Sequence, residues 1–416
     1  MDSSSHRSPT FKRPATRPRI GTTVPIRTTG SVSCFTGGDQ AVSTGGPAPR
    51  IVRFPSVLVD SSAAPFARSS PMNLTSILDH WDRSCRPHGA PRPPPHPGFS
   101  GAIVARIDTD RGPLAIRGWP PGALPRVRLE ALHQLLAHVA GTVPVAVPIP
   151  AADGQTLVEA DNRLWQLEPW LPGAADFHSD PSPQRLVAAV TTLAAFHQSA
   201  LCFVPDDDAR TWFASTAAAR SPAVDERLAR LDRWKRNWNT LVQRAHRHTR
   251  VASTDKDLRS LTESVDSINQ LFQQGAAFVT DQLQMASRTD YPCQPCLRDP
   301  WHDHLLWTDD RISGLIDPAA CRTDNVAIDL ARMLGSLVGD NAADWDRGLA
   351  AYRQHRPLSL PESGLVTVLD QSGVLMAGAV WLERLADNRL THPAPRHVHA
   401  RILAVTDRMQ ALINHL

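Results

Sequence analysis

Lysine is almost absent from this chain of 416 residues: 41 of its 44 basic residues are arginine, and the three lysines are Lys12, Lys235 and Lys256. An excess of charge of one sign is also lacking, because 41 acidic residues leave a formal net charge of +3. Nucleic-acid-binding domains carry a concentrated basic face. The even balance therefore excludes a general polyanion binder, and we predict no nucleic-acid partner.

Long apolar runs and cysteines are scarce as well. The best apolar run, residues 374–382, is half of the roughly 18 residues that a membrane-spanning helix needs, so we predict no membrane partner. Six cysteines do not make a disulfide scaffold, and the absence of a secretory apolar segment favours a reducing cytoplasm. With 42% apolar residues and eleven tryptophans, the chain can build a large core in two or three domains or lobes.

Residues 1–71 differ in composition from the rest of the chain. They contain 35 Ser, Thr, Pro or Gly residues, nine basic and three acidic residues, and none of the tryptophans. Such a segment cannot bury enough apolar surface to offset its ordering entropy, so we predict a disordered leader. A transit peptide and a start at Met72 are alternative interpretations, although nine prolines and the lack of a helical apolar stripe argue against the transit peptide. The remaining 345 residues carry a net charge of −3.

Apolar periodicity predicts strands first and helices afterwards. A helix is predicted over 126–139 and another over 185–200, with further helices over 206–285 and in the C-terminal part. The predicted strands are 102–107, 113–117, an edge strand at 143–149, 155–158 and 163–167. Strands followed by runs of helices indicate an α+β fold with two lobes.

Glycines precede the first predicted strand. Gly98, Ser100 and Gly101 can form a loop whose backbone N–H groups cover a phosphate. A plain turn between a proline-rich coil and a strand is the alternative, and these residues alone do not decide between the two.

The stretch between Cys296 and Pro318 carries the residues suited to chemistry. Apolar runs on both sides of residues 308–310 predict a hairpin. Such a hairpin carries its last residue, Asp317, back beside the loop before its first strand. The polar residues gathered there are Asp299, His302, Asp303, His304 and Asp317. Three carboxylates in one place repel one another, so a bound cation is their natural neutraliser.

The order of these residues matches the pattern by which kinases place a base and metal ligands: Arg298-Asp299, a polar residue five positions on, a hairpin, then Asp317. In this respect the sequence resembles the aminoglycoside phosphotransferase-like family of small-molecule kinases. The resemblance is sharp over 295–338 and covers most of 72–416 in outline. It implies a bilobal protein-kinase-like fold, with a small antiparallel-sheet N-lobe (72–167), a mostly helical C-lobe (168–416) and ATP in the cleft between them.

The resemblance also implies a role for individual residues. Asp299 would be the catalytic base, and Asp329, in Ile328-Asp329-Leu330-Ala331, would support the catalytic loop. Asp317, helped by His304 or Asp303, would hold Mg²⁺ or Mn²⁺. The residues implied in nucleotide binding are the phosphate loop with Gly98, Ser100 and Gly101, and the adenine hinge 168–171 with Glu168 and Trp170.

The sequence departs from the family pattern in three motifs. The usual His-Gly-Asp reads Leu297-Arg298-Asp299, and His304 replaces the metal-binding Asn. The nucleotide-binding Lys is missing too. Arg117 stands in its place, with Glu130 on the following helix as its candidate partner. Arg keeps the charge, although the two side chains are not interchangeable.

Three functions are compatible with these residues. The first is an ATP-dependent phosphotransferase that transfers the γ-phosphate to a hydroxyl of a small molecule. The second is a catalytically degenerate kinase fold that binds a nucleotide or a partner. The third is a zinc-binding module whose ligands are Cys293, Cys296, His302 and His304.

Overall fold

The computed structural model describes residues 74–94, 101–251, 256–387 and 395–416. The predicted leader 1–71 lies outside these ranges, as do Gly98 and Ser100. All described residues belong to one unit, which spans 54–416 by its internal contacts.

The helices and strands alternate at first and become mainly helical later. The helices are α1 (Leu74–Leu78), α2 (Arg126–Val139), α3 (Pro183–Leu201), α4 (Asp207–Phe213), α5 (Pro222–Val251), α6 (Lys256–Ala286), α7 (Ala327–Val338), α8 (Ala342–Arg353), α9 (Leu360–Ala386) and α10 (Pro395–Asn414). The strands are β1 (Ile103–Thr109), β2 (Gly112–Gly118), β3 (Val158–Ala160), β4 (Arg163–Pro169), β5 (Thr216–Ala219), β6 (Tyr291–Cys296), β7 (Leu305–Thr308), β8 (Arg311–Leu315) and β9 (Arg322–Asp324). The predicted α+β class is confirmed.

The first four strands form one antiparallel sheet in the order β1-β2-β4-β3. Ile116 and Leu167, on one face of this sheet, are fully buried in a core that α1 completes. Side chains alternate along a strand, so Arg117, opposite Gln166, projects from the other face together with Glu168. The register of β2 and β4 therefore places a cation and an acid on the same face.

The prediction of an edge strand at 143–149 is wrong. Val145 makes only an isolated bridge to Leu315, and the N–H of Ile149 donates to the carbonyl of Leu167 at 2.6 Å. Pro144 and Pro148 lack an N–H group, which prevents a regular ladder in this segment. It instead connects the first sheet to β8.

The C-terminal helices enclose the larger core. Helix α9 lies at its centre, with Leu375 and Leu382 fully buried, and α5, α6, α7 and α10 pack around it. By length and composition α9 can cross a membrane, but 61% of its apolar window is buried in the protein. That burial is typical of a core helix, so α9 is weak evidence for a membrane span.

Two small antiparallel sheets lie at the edge of this helical part. Strand β6 pairs with β5 and β9, and β7 pairs with β8 as the predicted hairpin. Asp309 has φ +53° in the hairpin turn, in the left-handed region that Asp tolerates better than most residues. The hairpin returns Leu315 opposite Leu305, which brings Asp317 back beside the loop that precedes β7.

Candidate active site

The loop that carries Asp299 is fixed by a fully buried carboxylate, Asp329, on the first turn of α7. Asp329 Oδ2 accepts the backbone N–H of Leu297 at 2.7 Å, and Oδ1 accepts that of Arg298 at 2.5 Å. Two charge-assisted bonds to successive amides define the loop backbone. The sequence Ile328-Asp329-Leu330-Ala331 therefore lies where a loop support is needed.

His197 of α3 orients Asp329 in turn. Its Nε2 lies 2.9 Å from Asp329 Oδ2, and its Nδ1 lies 2.7 Å from the hydroxyl of Tyr352. Burial lowers the pKa of His197, against the opposing effect of Asp329. A neutral ring donates from Nε2 to the carboxylate and accepts the Tyr352 hydroxyl at Nδ1, which satisfies all three groups.

Arg298 adopts a backbone conformation that favours glycine, with φ +64°. The His-Gly-Asp pattern of the family that the sequence resembles has Gly at this position. Here the arginine side chain contacts Glu226 at 2.7 Å and Asp324 at 3.3 Å, and only 12% of it is exposed. Two ion pairs thus accompany the unfavourable φ angle.

Asp299, His304 and Asp317 line one small cavity, as the hairpin geometry predicts. The Asp299 carboxylate is 40% exposed and accepts the Nε–H of Arg332 at 2.7 Å. Arg332 follows Asp329 by three residues on α7, a spacing that places both on neighbouring positions of one helix face. The sequence patterns did not predict a role for Arg332. Its spacing of three residues from Asp329 is the signal that could have indicated one.

His304 stands between the backbone of Asp299 and the carboxylate of Asp317. Its Nδ1 lies 2.9 Å from the carbonyl oxygen of Asp299, and its Nε2 lies 3.6 Å from Asp317 Oδ2. A carbonyl oxygen only accepts, so Nδ1 carries the hydrogen and the lone pair of the neutral ring is on Nε2. That lone pair and the carboxylate oxygen are a pair of donor atoms suited to a cation.

Arg117 reaches the same place from the N-terminal sheet. Its Nη1 donates to Asp317 Oδ1 at 3.2 Å, and its Nε lies 3.8 Å from Glu168 Oε1. The side chains of Arg117 and Glu168 are 12% and 14% exposed, whereas that of Asp317 is 34% exposed, so the contact with Glu168 is the better shielded from water. Arg117 and Asp317 thus face one cleft, as the kinase pattern requires.

The prediction that Glu130 is the partner of Arg117 is wrong. Glu130 pairs with Arg126, one turn earlier on α2, at 3.1 Å. An arginine four residues before a glutamate competes for it within the helix. The acid that the fold brings to Arg117 is Glu168, because β2 and β4 are neighbours in the sheet.

The hinge residues differ in what their side chains do. Glu168 turns towards Arg117, and burial raises its pKa although Arg117 and Gln166 oppose that shift. Trp170 donates its backbone N–H to the carbonyl of Pro113 at 3.0 Å, and its ring lies 5.6 Å from the guanidinium of Arg106. Gly101, immediately before β1, has φ +69°.

Asp303 is not brought to the other candidate metal ligands. Its carboxylate contacts His302 and Arg401, both at 3.4 Å. A short 3₁₀ turn over His302–His304 directs the two neighbouring side chains differently, so His304 alone lies beside Asp317.

The four predicted zinc ligands do not meet. Cys293 and Cys296 are buried in β6, and burial raises the pKa of both thiols, to about 12 for Cys293. Within the described ranges, the one group of three His, Cys, Asp or Glu ligand atoms within 4.8 Å of one another is His197, Cys296 and Asp329. In that group His197 is hydrogen-bonded to Asp329 and to Tyr352, and Asp329 also accepts the backbone amides of Leu297 and Arg298. The structure therefore contradicts the zinc-module interpretation.

The model of the phosphotransferase enzyme family matches residues 93–363. The fold is similar to spectinomycin phosphotransferase APH(9)-Ia in complex with ADP and spectinomycin (TM-score 0.57, 12% identity, 82% of this chain and 99% of that chain). It is also similar to an aminoglycoside phosphotransferase from Alicyclobacillus acidocaldarius (0.53, 15%, 84% and 97%) and to a microcompartment-associated aminopropanol kinase (0.51, 14%, 82% and 95%).

At these identities the solved structures show the fold, which is bilobal and kinase-like. No curated protein matches the sequence. The family model covers more than half of the chain and includes every described residue of the candidate site. The chain therefore belongs to the phosphotransferase enzyme family.

Proposed function

We propose that this protein transfers the γ-phosphate of ATP to a hydroxyl of a small molecule. One observation carries the proposal: Arg117 of the first sheet contacts Asp317 of the helical part, beside Asp299 and His304. A cation from one lobe and carboxylates from the other are the groups that hold a nucleotide phosphate and its metal. A similar structure, spectinomycin phosphotransferase, is a complex with ADP, which supports a nucleotide donor.

Asp299 is the proposed base. It orients the acceptor hydroxyl and takes its proton as the phosphate is transferred. Asp329, which accepts the backbone amides of Leu297 and Arg298, fixes the position of Asp299. Catalysis then depends on alignment and on neutralisation of charge, with no covalent intermediate.

Asp317 and His304 fit a divalent cation. An anionic oxygen and an imidazole lone pair 3.6 Å apart form an acceptable donor pair. An ion bound there would supply positive charge to the oxygens of the phosphates. Mg²⁺ prefers oxygen ligands, whereas imidazole suits Mn²⁺ better, so the pair favours Mn²⁺.

Arg117 is the proposed phosphate-binding residue. Its fork of N–H donors can grip two phosphate oxygens at once. The acceptor that we propose is a small molecule.

The test is nucleotide turnover with Mg²⁺ or Mn²⁺ in the intact chain and in Asp317→Asn. We expect turnover by the intact chain and a loss of at least 100-fold in the variant, on the order of what a misplaced reacting group costs. Equal rates in the two proteins would overturn the proposal.

A nucleotide binder without turnover is the second candidate. The ion pair between Asp299 and Arg332 favours it, because that pair occupies the proposed base. It predicts that ATP binds to the intact chain while no acceptor from a hydroxyl library is phosphorylated. Arg332→Ala tests this candidate: if the ion pair is what blocks Asp299, the variant should phosphorylate an acceptor that the intact chain does not. Transfer by the intact chain would rule the second candidate out.

A further inference from the structure

The ion pair between Arg117 and Glu168, whose nearest atoms are 3.8 Å apart, is joined to a hydrogen-bond chain that ends on α2. Gln166 Nε2 donates to Glu168 Oε2 at 2.6 Å, and Gln166 Oε1 accepts the indole N–H of Trp119 at 2.7 Å. His133, on α2, lies 3.2 Å from the same Gln166 oxygen. The chain thus runs from the helix to the nucleotide-site cation through β4.

The donor and acceptor at each link follow from chemistry. Trp119 can only donate and a carboxylate can only accept, so the Gln166 amide has one possible orientation. His133 must then donate from Nε2 to Gln166, and its Nδ1 accepts the hydroxyl of Thr156 at 2.7 Å. A neutral ring does both, and burial lowers the pKa of His133 to about 4.

Glu168 is therefore held in one orientation, with Oε2 bound by Gln166 and Oε1 directed at Arg117. Its side chain is 14% exposed and that of Arg117 is 12% exposed. Gln166 is almost fully buried beneath them. A buried acid with a fixed direction fixes the cation beside it, because leaving either charge unpaired is costly.

We propose that Glu168, oriented by Gln166 and His133, is the residue that positions Arg117 for the nucleotide phosphates. Glu168 takes the role that the kinase pattern gives to a glutamate on α2, because Glu130 is paired with Arg126. Helix α2 is still connected to Arg117, through the uncharged side chains of His133 and Gln166 and the carboxylate of Glu168. This inference rests on the proposed function, because it concerns how the same site binds a nucleotide.

The experiment is a double-mutant cycle on ADP affinity, measured by calorimetry with the full chain and Mn²⁺. Glu168→Gln is nearly isosteric and presents an N–H₂ group to Arg117. We expect it to weaken ADP binding about tenfold, which is within the range of coupling between residues in contact. Glu130→Gln is the matched control, and its affinity should stay within about twofold of the wild type.

The same Glu168→Gln change is then made in Arg117→Met. If Glu168 acts through Arg117, the second change has no further effect on ADP affinity there. A merely structural Glu168 would weaken binding equally in both backgrounds. Glu168→Asp keeps the carboxylate, and its expected loss of about threefold is a partial rescue that packing alone would not give.

The outcomes are distinguishable. Failure of the wild-type chain to bind ADP would overturn the proposed function and this inference with it. Binding by the wild type with equal affinity in Glu168→Gln would overturn this inference alone. Should Glu168→Gln fail to fold, Glu168→Asp carries the cycle, and a loss of affinity that persists in Arg117→Met contradicts the proposal.

Discussion

At the scale of single residues, an arginine and a histidine make the polar contacts around Asp317 and the loop before β7. Arg117 contacts Asp317 at 3.2 Å. His304 bonds the Asp299 carbonyl at 2.9 Å. The pocket therefore combines a cation with an imidazole, a side chain that commonly binds metals.

Changing His304 to Asn should move the metal preference from Mn²⁺ towards Mg²⁺. The amide replaces an imidazole lone pair with a hard oxygen, which Mg²⁺ prefers. We expect the ratio of the two dissociation constants to change by about tenfold, equivalent to ~1.4 kcal/mol. Competition of Mg²⁺ against Mn²⁺, followed by the electron paramagnetic resonance of free Mn²⁺, measures this ratio.

Asp303→Asn is the control for that change, because Asp303 contacts His302 and Arg401 instead of Asp317. Its metal preference should equal that of the wild type. A shift in Asp303→Asn as large as in His304→Asn would mean that the metal lies elsewhere.

At the scale of elements, two helices hold the site from opposite sides. Helix α7 fixes the catalytic loop through Asp329, and α2 reaches Arg117 through His133 and the strand β4. The first connection was expected only through the family resemblance of the Asp-Leu-Ala segment. The second was not, because it depends on the register between β2 and β4, which places Glu168 beside Arg117 and leaves Glu130 to its helix neighbour.

The buried His133 of α2 predicts how stability depends on pH. Its native pKa of about 4 lies below the unfolded value of 6.5, so the unfolded chain binds more protons between these values. Its contribution is therefore intact above pH 6.5 and is lost as pH falls towards 4, by up to about 3 kcal/mol. Urea unfolding of the wild type and His133→Gln at pH 4.5 and 7 measures the difference.

The variant should lose less stability than the wild type between these two pH values. His197 and His302, whose pKa values burial also lowers, are present in both proteins and cancel in the comparison. Equal losses would show that His133 is protonated in the native state.

At the scale of the whole molecule, the sequence was most informative where local patterns decide the structure. The turn at 308–310 and its flanking apolar runs were sufficient to predict that Asp317 returns to Asp299. The strand prediction for residues 143–149 is wrong because the valines give the segment strand composition, whereas its prolines lack the N–H groups that a strand ladder needs. Contacts between distant segments, such as Glu168 with Arg117, follow only from the packed fold.

A chain that begins at Met72 should fold and turn over nucleotide as the full chain does. The family model begins at residue 93, and a similar solved structure is covered over 99% of its length by 82% of this chain. We expect rates within about twofold and an unfolding free energy unchanged to within about 0.5 kcal/mol, because the matched region begins beyond residue 71. A tenfold loss of turnover would assign a functional role to residues 1–71.

The most direct test of the whole account is transfer of radioactive phosphate from γ-labelled ATP to a library of small hydroxyl compounds. The account predicts at least one labelled acceptor with the wild-type protein. It also predicts a loss of roughly 100-fold to 10,000-fold in Asp299→Asn, the range that general-base catalysis supplies, with ATP still bound. Labelling at the same rate by both proteins, or ATP binding with no acceptor labelled by the wild type, would contradict it.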